Sequence, residues 1–126
     1  MLDGGVSDSI PLAYFESIGY NRNVVILTQP EGYVKEHNRL MPLMRIGLRK
    51  YPKMIEAMDK RHLMYNQQLE YVRQVEREGR CLVIRPDAKL PIGHISHDPD
   101  EMRRVYDIGR RKGEECIDAI CRFFAK

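Results

Sequence analysis

The chain has 126 residues, the span of one domain. Lysine and arginine number 21 against 18 aspartates and glutamates, a net charge of +3, too even a balance for a dedicated nucleic-acid binder, which concentrates basic groups on one face. Hydrophobic residues at 43% and charged residues at 31% describe a globular chain rather than a disordered one, and no apolar run reaches the roughly 18 residues that a membrane-spanning helix needs.

Met1-Leu2-Asp3-Gly4-Gly5 has neither the basic nor the apolar region of a signal peptide. Three cysteines, an odd number without a leader, read as reduced thiols and a cytoplasmic location. Charge is uneven along the chain: one basic and four acidic groups in 1–32, twelve and six in 33–86, eight and eight in 87–126.

Ser9 is placed to cap a first helix over roughly Ile10–Ile18, with Pro11 in its first turn and Gly19 as a left-handed stop. Asn23–Thr28 is short, β-branched and apolar, the pattern of a strand buried on both faces. Gln29-Pro30-Glu31-Gly32 ends it. Pro42 and Pro52 bracket a short helix. Ile55, Met58, His62, Tyr65, Leu69 and Val72 recur at steps of three and four, so a long helix over Lys53–Glu78 presents one face to a core, with Gly79 as its stop.

Cys81–Arg85 reads as a second buried strand and 87–97 as a loop. In Asp98-Pro99-Asp100-Glu101, Asp98 caps a last helix, Pro99 opens it and Glu101 completes a capping box. That helix runs to about Phe124, with Met102, Val105, Gly109, Gly113, Cys116, Ile120 and Phe123 inward. Glycine costs helix stability, so Gly109 and Gly113 predict close packing against another element. The order of elements predicts an α/β architecture with parallel pairing in a single domain, 1–126. Two strands make a poor sheet: they belong to a larger one, or the chain covers its edge by forming a homo-oligomer.

Asp3-Gly4-Gly5 is the sharpest local motif. Two neighbours without side chains leave the carboxylate unshielded, and glycines permit unusual backbone angles. Such a carboxylate can serve as a general base toward a hydroxyl; the plain alternative is an exposed turn. His94 and His97 match no strong zinc spacing, so no metal and no cofactor is expected. His62, within an apolar stripe, reads as a core or boundary histidine. Lys35 to Lys53 carries six basic groups against Glu36 alone, among leucines and methionines. It is either a peripheral contact with an anionic membrane or a solvated rim. No Gly-x-Ser-x-Gly elbow and no phosphate-binding Gly-rich loop occurs in the sequence.

Taken together, Leu2-Asp3-Gly4-Gly5-Val6-Ser7-Asp8-Ser9-Ile10-Pro11, then Asn23 to Tyr33, Arg49-Lys50-Tyr51-Pro52, Arg61 to Asn66, Val83-Ile84-Arg85-Pro86 and Tyr106-Asp107-Ile108-Gly109 resemble, in order, the C-terminal portion of bacterial patatin-like phospholipases. The resemblance implies a partial three-layer α/β/α fold, with a small mostly parallel sheet and long helices. It also implies a serine lipid acyl hydrolase, a phospholipase or esterase with a Ser-Asp dyad. The catalytic aspartate falls on Asp3, and Gly4 and Gly5 keep its approach open. The nucleophile elbow that the family carries upstream is not in this sequence, so the isolated chain is expected to be inactive. The partner of the parent enzyme would be a lipid or acyl ester, with no nucleic acid. The competing expectation is a non-catalytic interaction or dimerisation domain.

Overall fold

The computed structural model describes residues 4–93 and 96–125. A 3-10 turn, Gly4–Val6, precedes helix α1 (Leu12–Ser17) and strand β1 (Asn23–Ile26). Helices α2 (Met41–Gly47) and α3 (Pro52–Arg77), strand β2 (Cys81–Ile84) and helix α4 (Pro99–Ala125) follow. The strands pair in parallel, Asn23 opposite Cys81 through Ile26 opposite Ile84, giving an α/β chain with a two-stranded sheet among the described residues.

The core is one cluster. Leu69, Val72 and Val75 of α3 pack with Leu12, Leu27 and Cys81, and Val25, Val83 and Tyr65 lean on it. The predicted stripe on α3 therefore holds and extends to Val75, which is wholly buried. Side chains alternate along a strand. Accordingly Val25, Cys81 and Val83 join the α3 cluster, while Leu82 borders a cavity shared with Ala119 and Phe123 of α4. Met41, also buried, anchors α2 separately.

Several expectations need correction. The strands are not buried on both faces: Ile26 is 74% exposed, because α4 packs over β2 and leaves the outer side chain of β1 uncovered. Ser9 does not cap α1. Its hydroxyl donates to the Gly5 carbonyl at 2.7 Å, and the helix starts later, after Pro11, with no side-chain cap. Pro42 lies inside the first turn of α2 rather than ahead of it, a place where its missing N–H is harmless. The stops hold: Gly19 and Gly79 take φ of +100° and +72°, angles that β-carbon-bearing residues resist.

Asp98 does cap α4, accepting from the Asp100 amide at 2.9 Å. Glu101 instead accepts from the Ser96 hydroxyl, so the reciprocal half of the capping box is diverted. None of the residues of α4 is fully buried. Met102 is 46% exposed and Gly109 is exposed, while Ile108 and Lys112 lie on the shielded side. The close packing expected at Gly109 and Gly113 is not found, since an added Cβ at either meets no atom within 4 Å. Gly109→Ala and Gly113→Ala are thus expected to stabilise the chain by about 0.5–1 kcal/mol each, read as a raised urea midpoint.

Glu16, only 12% exposed, ties α1 to the core. It receives the Tyr71 hydroxyl and the Arg80 guanidinium. The hydrogen bond to Glu16, then burial, raises the Tyr71 pKa. Arg80 is itself half exposed, so its share is screened, and the main loss on removing Glu16 is an orphaned Tyr71 hydroxyl. Glu16→Ala is expected to cost about 2 kcal/mol in urea unfolding, and Glu16→Gln less.

Candidate functional site

Asp3 and His94 lie outside the described residues. Gly4 and Gly5 are seen in the 3-10 turn, a right-handed conformation that does not require glycine. A Cβ on Gly4 would meet no atom within 4 Å, so the space beside it is open. The turn is braced from within: the Gly4 carbonyl accepts the amides of Ser7 at 3.1 Å and Asp8 at 2.9 Å. From outside, Gln68 of α3 holds the residues between the turn and α1. Its carbonyl accepts the Ile10 amide at 3.0 Å, and its NH2 group donates to the Asp8 carboxylate at 2.6 Å. Beside this segment an apolar cleft of about 340 Å³ runs along β1, lined by Ile10, Leu12, Phe15, Val25 and Leu27.

A second and larger cavity, about 620 Å³, opens between residues 33–38 and α3. Lys35, Arg61, His62 and Lys89 line it, with Tyr33 and Glu36. Asn66 fixes the backbone of Lys35 on both sides. Its carbonyl accepts the Lys35 amide at 2.8 Å and its NH2 group donates to the Lys35 carbonyl at 3.0 Å. The Lys35 ammonium then sits 5.1 Å from the centre of the Tyr65 ring. Burial, reinforced by the nearby Arg61 charge, lowers the Lys35 pKa. The Nε of Arg61 is buried without a hydrogen-bond partner among the described residues.

His62, a boundary residue as expected, uses Nδ1 toward the Asp59 carbonyl at 3.0 Å. A carbonyl only accepts, so Nδ1 carries the proton. Its ring meets that of His37 edge to face, with centres 5.0 Å apart. His37 and Arg45 both engage the Asp59 carboxylate, at 2.7 and 3.0 Å. The His37 hydrogen bond leads in lowering the Asp59 pKa. The basic stretch from 35 to 53 is therefore not uniform: Lys35 faces a cavity and Arg45 is paired. Arg39, Arg49 and Lys50 are exposed beside Leu40, Leu43 and Ile46, themselves 59–72% exposed.

No group of histidine, cysteine and acidic residues fit to hold a metal occurs among the described residues, and none of the helices is long and apolar enough to cross a membrane. All three cysteines are free: Cys81 buried, Cys116 intermediate and Cys121 exposed. Burial and then the Glu76 charge push the Cys81 thiol up to about 11. Only the thiolate reacts, so Ellman's reagent at pH 8 is expected to modify Cys121 first. Cys81 should react only after unfolding in urea.

The asparagine and glutamine that hold Lys35 and Ile10 were not singled out from the sequence. The one signal was faint: Gln68 stands three residues after Tyr65 and beside Leu69, at the border of an apolar stripe. Nor did the sequence bring Lys35, Arg61 and Lys89 together, since they come from three separate segments.

A family profile described as a Domain of unknown function (DUF6363) matches residues 51–125. The chain belongs to the DUF6363 family. The matched region takes in α3, β2 and α4, and with them Gln68, Arg61, His62 and Lys89. Asp3, Gly4, Gly5, β1 and Lys35 precede it. No curated protein and no solved structure matches the chain.

Proposed function

We propose that this chain works as the C-terminal part of a patatin-like lipid acyl hydrolase, a phospholipase or esterase in which Asp3 activates a serine carried by another element. The observation that carries the reading is surplus surface. The chain exposes 9648 Å², whereas a compact monomer of its mass exposes about 7,000 Å². The excess is of the order of a large permanent interface. It includes large apolar side chains, among them Tyr14, Tyr20, Ile26, Tyr106 and Phe124. Parallel sheets are ordinarily covered on both faces and extend beyond two strands, so a larger α/β/α sheet is the cover that this surface suits.

Two further features support the reading. Leu82 borders the cavity beside α4 while Val83 packs on the α3 cluster, the arrangement of a layered fold. The segment after Asp3 is held by Gln68 next to an apolar cleft with room for an acyl chain. In the proposed reaction Asp3 takes the serine proton as Oγ attacks the ester carbonyl. Asp3 hands that proton to the departing alcohol, then takes one from the water that attacks the acyl-serine and returns it to the serine oxygen as the acid is released. The exposed Leu40, Leu43 and Ile46 beside Arg39, Arg49 and Lys50 would rest on an anionic lipid surface, making residues 35–53 the peripheral membrane contact.

The test is hydrolysis of a nitrophenyl ester by the chain alone and by the product of its whole reading frame. Turnover that requires a Gly-x-Ser-x-Gly segment supports the reading. Turnover by the isolated chain, or by neither, overturns it. The same surplus surface also suits a second copy of the chain, the non-catalytic reading. A stable dimer in sedimentation equilibrium, with no esterase activity in the full product, would favour it.

A further inference from the structure

The cavity between residues 33–38 and α3 presents an unusual balance of charge. Several basic side chains near α3 and β2 are matched: Arg45 with Asp59, Arg73 with Glu70, Arg80 with Glu16 and Arg85 with Glu76. Arg49, Lys50 and Lys53 are unpaired among the described residues but stand exposed to water and do not line this cavity. Lys35, Arg61 and Lys89 enter no ion pair among the described residues. Glu36 is the one acidic residue in the lining, so three cations against one carboxylate leave a surplus of two positive charges. Asp59, one helical turn before His62, is already occupied by His37 and Arg45.

Lys35 and Arg61 are also held, not merely present. Asn66 clamps the Lys35 backbone at both its amide and its carbonyl, and Tyr65 backs its ammonium. Arg61 projects from the rigid middle of α3 with a desolvated Nε that nothing satisfies. An unmet buried donor and an unneutralised cation both cost free energy, and a bound anion would relieve both. An arginine fork with two ammonium groups is the donor set that phosphate oxygens favour. A volume of about 620 Å³ admits a phosphate with an organic group attached.

We propose that this cavity is a phosphate-binding site, with Arg61, Lys35 and Lys89 as its anion ligands, that takes the phosphate of a lipid head group or of a small soluble phosphate ester. The site shares no lining residue with the Gly4–Val6 turn and does not rest on the hydrolase reading.

Calorimetric titration with inorganic phosphate and with glycerol 3-phosphate tests the soluble source. Flotation with phosphatidylcholine vesicles, with and without phosphatidic acid, tests the lipid source. Binding in either arm is expected to weaken at least roughly tenfold in Arg61→Ala and about threefold in Lys89→Met, and to be unchanged in Arg103→Ala on exposed α4. Saturable binding of the soluble probes identifies a soluble ester. Flotation that depends on phosphatidic acid, together with weak soluble binding, identifies a head group. No heat and no flotation, or binding that Arg61→Ala leaves intact, overturns the proposal. Circular dichroism melts show whether Arg61→Ala is folded. If it is not, Lys89→Met, on an exposed loop, decides by the same criterion.

Discussion

In the proposed hydrolase, Asp3→Asn is expected to lower kcat/KM by about 10³- to 10⁴-fold, with little change in KM. Asparagine preserves the shape of the side chain, but an amide cannot accept the serine proton. The loss therefore falls on the chemical step and not on substrate binding. A built-in comparison makes the result decisive. Asp8 lies five residues on, and its carboxylate receives the Gln68 NH2 group at 2.6 Å; its job is to hold the segment. Asp8→Asn keeps an acceptor oxygen there and is expected to cost roughly tenfold or less. If the two variants were equally damaged, or if Asp3→Asn retained activity, the assignment of Asp3 would fall.

Leu69→Ala is expected to be the most destabilising of the simple core truncations, by about 2–5 kcal/mol. Total stability of a domain is only about 5–15 kcal/mol, so this is a large fraction. Leu69 is 6% exposed and belongs to the one cluster that joins α1, α3 and both strand regions. Its neighbours Val72 and Val75 are fixed on the same helix, so the space left behind cannot readily close. Leu63, on the same helix but 54% exposed, is the control. Leu63→Ala is expected to shift the urea midpoint hardly at all. Equal effects of the two would mean that the cluster is not the stabilising core.

The parts of the fold that were legible are those with a local cause. The apolar β-branched runs at Val24 and Leu82 became strands, the three-and-four spacing from Ile55 to Val72 became α3, and Gly19, Gly79 and Asp98 ended or began helices as their backbone chemistry requires. What failed depended on partners distant in sequence. Whether Ile26 is covered depends on the reach of α4. On α4, Val105, Gly113, Cys116, Ile120 and Phe123 are partly buried as expected, but Met102 and Gly109 are exposed, because that helix rests only lightly on β2. The phosphate cavity was invisible for the same reason: the basic run ending at Lys53 drew attention as a stripe, whereas Lys35 acts with Arg61 and Lys89 from elsewhere. Ser9 is a local exception: its residue type suits a cap, but α1 begins only after Pro11 and the Ser9 hydroxyl donates to the Gly5 carbonyl four residues back. The Asp-Gly-Gly motif was legible as chemistry. The brace on the segment after it, Gln68 from α3, was not.

Arg22, just before β1, stacks on the Phe123 ring at 4.8 Å and donates to the Phe123 carbonyl at the far end of α4, a separation of 101 residues. This contact ties the entry to β1 to the end of α4. The α3 cluster and the parallel pair can assemble once residue 84 is free, whereas α4 must dock afterward and has no buried side chain to hold it. Order of emergence and strength of attachment thus coincide. The last helix to form is also the one that would open first, exposing β2 on that side while the α3 core persists. Amide exchange in α4 should accordingly run ahead of that in the middle of α3, with Arg22 as the latch whose loss widens the gap.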